Sequence, residues 1–186
     1  MRCCVSVALL CLACAAFAQQ APPPASNTAA AQAINAEELV TREFGKTFTI
    51  VGGFAPVVGD FDGDGTQDLA VVVASKTPLV DELEFHYKAI DPYDAYWGWG
   101  NAHETVKFSA TDAGATRYVA VVHNWQKPAA KFLVINLPFE KLTASRVAMK
   151  KKKSIDSIHA IESSGLESDV FWDGKKYKWN PAYMNQ

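Results

Sequence analysis

The sequence predicts an α+β fold, mainly antiparallel β-sheet with one or two short helices. Three observations point there. Runs of β-branched and aromatic residues recur from residue 69 onward, joined by short polar connections. Connections that short favour antiparallel pairing over crossover units. A full set of helix-start signals stands at residues 35–39. And roughly 150 residues remain once the N-terminal segments are set aside, a common size for one core.

Residues 1–18 read as a secretory signal peptide. Arg2 supplies the positive start, Val5 to Ala15 is a short apolar run, and Ala16-Phe17-Ala18 fits small-x-small cleavage. The run is too short to span a bilayer comfortably, and no other stretch is apolar for long enough. The expected location is therefore secreted or periplasmic, with no integral membrane segment after signal removal. All four cysteines (Cys3, Cys4, Cys11, Cys14) lie inside the signal, so the mature protein is expected to have no disulfide. Lipid anchoring at Cys14 is the alternative, but Cys11 stands where a large aliphatic residue is usual. Residues 19–33 are rich in Ala, Pro and Gln, with Pro22-Pro23-Pro24 in a row. They read as an extended linker. Residues 34–182 are then a single domain. A net charge of −2 argues against nucleic acid or an anionic membrane as partner.

Asn35 and Glu38 form a capping-box pattern, with Ile34 and Leu39 placed for a hydrophobic staple. Leu39, Val40 and Phe44 share a face, and Gly45 is a natural stop. A helix over 36–44, packed on a sheet, follows. Leu69 to Ala74 reads as a buried strand. Leu83 to Ile90 alternates apolar and polar residues as a half-exposed strand does. Val106 and Phe108 suggest a shorter strand, Tyr118 to Val122 and Phe132 to Ile135 two more, and Val147 with Met149 another. Ser154 is placed to cap a second helix carrying Ile155, Ile158 and Ile161 and ended by Gly165. Last, Asp173-Gly174 between Phe171-Trp172 and Tyr177-Lys178-Trp179 predicts a hairpin with a type I′ turn.

The strongest chemical signal is Val58 to Val73. Counting Asp60 as the first position, carboxylates fall at positions 1, 3, 5 and 9 (Asp60, Asp62, Asp64, Asp68). Gly65 at position 6 permits a sharp turn, and Thr66 at position 7 offers its backbone carbonyl. That is most of an EF-hand ligand set. Position 12 is Val71 rather than glutamate, and the flanks read as strand, so the EF-hand fold is excluded while its donor pattern remains. Asp and Gly also dominate plain turns. Four carboxylates within nine residues repel one another, however, and a divalent cation supplies the compensation. The expected ion is Ca2+.

Val58-Gly59-Asp60, Asp62-Gly63-Asp64-Gly65 and Asp68-Leu69-Ala70-Val71 together resemble the calcium loops of the FG-GAP/VCBS type, known from the blades of integrin-type β-propellers. The resemblance implies that Asp60, Asp62, Asp64 and Asp68 are side-chain ligands and Thr66 a carbonyl ligand. It spans about fifteen residues. Val73-Ala74-Ser75 replaces the downstream Gly-Ala-Pro, no second aspartate loop exists, and a propeller needs several blades. The resemblance thus implies the ion site without a full β-propeller. The ending Phe171 to Trp179 is similar to the terminal hairpin of small exported bacterial proteins with one such loop.

Other candidates carry weaker signals. Tyr93, Tyr96, Trp97 and Trp99 crowd an apparent loop over residues 91–101. They suit either a small satellite core or the stacking face of a glycan site. Asp91 and Asp94 are spare carboxylates nearby. His86, His103, His123 and His159 lack metal-ligand spacing. Val121-Val122-His123-Asn124-Trp125 faintly resembles a strand-end hydrolase histidine, but no G-x-S-x-G elbow accompanies it. Glu82, Glu84 and Glu104 select no catalytic pair by spacing. Lys150 to Lys153, with Arg146, reads as a solvated basic connection. The expectation is an exported, non-catalytic domain that binds one Ca2+ and has a structural or interaction role. The alternatives are a glycan- or cell-wall-binding module using the aromatics, and a hydrolase of unknown type.

Overall fold

The computed structural model describes residues 35–98, 117–149 and 153–182. The signal peptide, the linker, Ile34 of the staple, the Val106/Phe108 strand, Trp99, His103, Glu104 and Lys150 to Lys152 lie outside these residues. The described part is 43% strand and 15% helix, with three short helices and sheets that do not close into a barrel. It is α+β and mainly antiparallel. No helix among the described residues is long and apolar enough to cross a membrane.

Helix α1 (Ala36–Phe44) forms where its signals stand. Asn35 Oδ1 accepts from the Glu38 N–H at 3.2 Å, and the Asn35 side-chain amide donates to Glu38 Oε2 at 3.3 Å. The helix stops at Gly45, whose φ of +98° is open to glycine alone at little cost. Leu39, Val40 and Phe44 are buried against the first sheet with Phe48, Tyr87, Tyr118 and Leu133.

That sheet contains β1 (Thr49–Ile50), β2 (Val57–Gly59), β3 (Asp68–Ala74), β4 (Lys88–Ile90), β5 (Arg117–His123) and β6 (Ala130–Val134). The order is β1-β3-β5-β6-β4, and β2 shares an edge of β3 with β1. All pairs are antiparallel except β4 with β6. Both faces are covered. Leu69, Val71 and Val73 face α1, while Ala70 and Val72 face a second sheet. This is why the strands read as unbroken β-branched runs rather than alternating ones.

The second sheet is β7 (Lys141–Ala148), β8 (Ser154–Ile161), β9 (Glu167–Trp172) and β10 (Tyr177–Pro181), in the order β10-β9-β8-β7. Its inner face packs Ile158, Ala160, Val170, Tyr177 and Trp179 onto the first sheet. The molecule is thus three layers: helix, sheet, sheet.

Four expectations need correction. Residues 154–161 are strand β8, not a helix. Three-residue spacing of isoleucines suits a helix face, but β-branched residues favour the pleated surface. In the strand Ile158 points into the core while Ile155 and Ile161 take the opposite face, and Gly165 (φ +81°) turns the chain into β9. Residues 83–90 are not one strand. A single helical turn, α2 (Glu82–Phe85), ends at His86 with φ +54°, and only Lys88–Ile90 is extended. Tyr87 is drawn inward, its hydroxyl donating to the Pro78 carbonyl at 2.6 Å. That leaves Leu83 88% exposed. The segment after Asp91 is a short helix, α3 (Pro92–Tyr96), capped by Asp91. The C-terminal hairpin forms, but Trp172 pairs with Tyr177. Its connection is therefore the four residues 173–176, with positive φ at Gly174 alone. A type I′ turn would need it at two.

Candidate metal centre

Strands β2 and β3 pair up to Gly59 with Asp68, so residues 60–67 are the connection of a β-hairpin. Its entry is anchored to the second sheet. The Asp156 N–H donates to the Asp60 carbonyl at 3.1 Å, and Asp156 Oδ2 accepts from the Asp60 N–H at 3.0 Å. The approach is close: a Cβ on Gly59 would fall 2.8 Å from Phe61 and 2.9 Å from the Asp156 Cβ. Glycine is the residue that fits.

The carboxylates organise the loop's own backbone. Asp60 accepts from the N–H groups of Gly63 (2.8 Å) and Gly65 (3.1 Å). Asp62 Oδ1 accepts from the Asp64 N–H at 3.1 Å. Asp64 Oδ1 accepts from the Thr66 N–H at 2.7 Å and its hydroxyl at 2.6 Å. Such side-chain-to-backbone turns are what Asp offers in place of a ladder.

Asp68 behaves differently. It is fully buried, and it accepts three backbone N–H bonds: Phe61 at 2.7 Å, Asp62 at 3.2 Å and Asn124 at 2.8 Å. It ties the loop's start to the end of β5. His123 ends β5. The register that sets Leu69 opposite Val122 brings His123 beside Asp68. The His123 ring is buried, with Nδ1 at 3.2 Å from Asp62 Oδ2 and Nε2 at 2.6 Å from the Tyr177 hydroxyl.

Two groups of donors result. Single ligand atoms of Asp60, Asp62 and Asp64 lie within 4.8 Å of one another, and so do those of Asp62, Asp68 and His123. Asp62 belongs to both. Thr66 is held against Asp64. Thus Asp60, Asp62 and Asp64 gather at one place, Thr66 meets Asp64 through its N–H and hydroxyl, and Asp68 sits deeper. Spacing within the loop gave no sign of His123, Asn124 or Asp156. Strand register supplies the first two, from the other side of β3.

Electrostatics follow burial. Loss of water pushes the Asp68 carboxyl up to about 7 and moves Asp62 upward too. The Thr66 hydroxyl holds the exposed Asp64 below the usual carboxylate range. Burial lowers His123 and raises Tyr177. Among the described residues no Lys or Arg pairs with any of the four aspartates.

The other candidates sit apart from the loop. Tyr93 and Tyr96 pack edge-on against Trp179, at 5.0 and 4.9 Å between centroids, and Trp97 covers them. Trp179 is buried, while Trp97 is 49% exposed. A cavity of 170 Å³ is lined by Pro92, Tyr96, Lys176, Lys178 and Trp179 among others. Asp91 is occupied by the Asp94 N–H (2.9 Å) and Asn136 (2.6 Å). His159 lies between Asp169 (3.1 Å) and Glu167 (3.3 Å). The neighbouring Ser157 donates to Asp169 rather than to the ring, so the three are not wired as nucleophile, base and orienter. Arg146 pairs with Asp156 at 3.2 Å.

No protein-family model matches this chain, and neither a curated protein nor a solved structure resembles it significantly.

Proposed function

We propose that this chain is an exported, non-catalytic domain whose β2–β3 loop binds Ca2+ in a structural or interaction role. The observation that carries the reading is the convergence of Asp60, Asp62 and Asp64 at one hairpin connection, with no Lys or Arg paired to them among the described residues. Calcium takes six to eight oxygens in a flexible shell. Carboxylates, the Thr66 carbonyl and water offer such a set. Modules of this kind work with dissociation constants on the order of 10⁻⁴–10⁻³ M. The sequence features of residues 1–33 support export, to the periplasm or outside the cell.

The test is thermal melting in Ca2+ and in chelator. At ten times the dissociation constant, binding stabilises the fold by about 1.4 kcal/mol. Asp60→Ala is expected to remove that increment while keeping the fold. An unchanged Tm for the wild type in Ca2+ overturns the reading.

A second reading is glycan binding at the aromatic cluster. A 170 Å³ cavity lined by Tyr96 and Trp179, the two rings on which the half-exposed Trp97 packs, favours it. It requires that Trp97→Ala lose binding to a glycan array while its unfolding free energy stays within about 1 kcal/mol of the wild type.

A further inference from the structure

The geometry points to a second, inner cation site formed by Asp62, Asp68 and His123, suited to a first-row divalent transition ion such as Zn2+ or Co2+. It goes beyond the calcium reading and meets it at Asp62 and at Asp68, which the loop resemblance counts among the Ca2+ ligands; His123 belongs to the inner site alone.

The donor set makes the distinction. Calcium is bound through oxygen, whereas an imidazole nitrogen suits zinc and its neighbours in the transition series. Zinc holds nitrogen and carboxylate oxygen at 2.0–2.2 Å, so two donors on a tetrahedral ion stand about 3.3 Å apart. His123 Nδ1 and Asp62 Oδ2 are 3.2 Å apart, and Asp68 completes a triad within 4.8 Å. A metal-bound imidazole is usually fixed by a hydrogen bond at its other nitrogen. Tyr177 provides that contact at His123 Nε2, from a side chain that is itself buried. Asp68 is steadied in the same way by three backbone N–H groups, and its oxygens keep lone pairs to spare.

Charge supports a second ion. Asp62 and Asp68 place two carboxylates against one imidazole, with Asp68 and His123 both buried and no Lys or Arg in contact among the described residues. A simple imidazole–carboxylate hydrogen bond satisfies Asp62 and leaves Asp68 with backbone dipoles only. Two divalent cations neutralise the four aspartates of the loop.

The experiment uses the full chain, stripped with chelator and titrated with Zn2+ or Co2+, with and without Ca2+. Long-range 15N–1H spectra of the imidazoles in the unmutated protein are expected to show Zn2+ moving the His123 Nδ1 signal. Co2+ is expected to give a visible d–d band. His123→Gln should lose the band and at least ~100-fold in Zn2+ affinity, and Tyr177→Phe should lose about 10-fold. Asp60→Ala should keep both. Zn2+ that shifts only other histidines, or binds His123→Gln as it binds the wild type, overturns the inner site. Should His123→Gln fail to fold, the wild-type imidazole spectrum decides. A His123-dependent Zn2+ response without any Ca2+ response leaves the inner site standing while the calcium reading falls.

Discussion

The aspartate loop and the aromatic segment after Asp91 are both local concentrations of one residue class, and they use it in opposite ways. Each has a buried centre and an exposed rim. In the aromatic segment the centre is Trp179, contributed by β10 from more than eighty residues away, and Tyr93 and Tyr96 lean on it as a lid. The rings face inward because packing them removes apolar area from water. In the loop the centre is Asp68, whose oxygens accept three backbone N–H groups, and the rim carboxylates converge with backbone N–H groups but no Lys or Arg, among the described residues, to offset their repulsion. Clustered rings are self-sufficient once stacked. Clustered carboxylates are not, and that unmet charge is why the loop rather than the aromatic segment leads the functional reading.

The comparison is broken most forcefully at the two centres. Trp179→Ala should cost about 3–5 kcal/mol through the cavity it leaves. Asp68→Ala should cost about 3 kcal/mol or more, since three backbone donors lose their acceptor. Denaturant unfolding measures both. If Asp68→Ala proves mild, the loop is not anchored through Asp68.

The two regions should also respond to pH with opposite sign. Asp68 is raised by burial to about 7, against an ordinary 3.8. In chelator the folded state therefore keeps a proton that the unfolded chain has lost. Its contribution is full below about 4 and disappears as pH rises through about 7. The pKa of His123 is lowered from 6.5 by burial and works against this in acid. The Asp68 part is thus read as the difference between wild type and Asp68→Asn. Saturating divalent cation should flatten it. Asp173, in the turn beside the aromatic cavity, goes the other way. Against the upward push of burial, Lys178 and the Lys176 and Lys175 N–H groups hold it down to about 2. Its contribution is present above about 4 and is lost as pH falls through about 2. Melting curves of Asp173→Asn across that range check it.

Smaller effects sharpen the contrast at the rims. The calcium increment of about 1.4 kcal/mol should vanish in Asp60→Ala. Trp97→Ala, at a half-exposed ring, should change stability by under about 1 kcal/mol. A larger cost for Trp97→Ala than for the loss of the calcium increment would make the aromatic rim the structural one.

Much of this was legible in residues that are close in sequence. The α1 cap, its apolar face and the β-branched runs of β3, β5 and β6 are local signals, and they produced the elements they announced. The aspartate spacing put ligand atoms of Asp60, Asp62 and Asp64 within 4.8 Å of one another, because a hairpin connection keeps near neighbours together. Strand β8 was not legible, since isoleucines three apart follow the helical period, and it is pairing with β7 along its length and with β9 from Ile158 that makes the segment a strand. His123 was not legible as a loop residue either. Its nearness to Asp68 is a matter of register between strands whose facing residues, such as Leu69 and Val122, are 53 positions apart.

The contact between Asp60 and Asp156 has a consequence for solubility. Strand β8 pairs with β9 only from Ile158 onward, and its first half meets Asp60 instead. The loop is therefore the cover on an otherwise open strand edge. A loop that loosens uncovers the Asp156 N–H next to Ile155, and unpaired edges of that kind recruit other chains. Keeping the aspartates in place covers that edge against pairing with other chains, a task separate from holding the fold together.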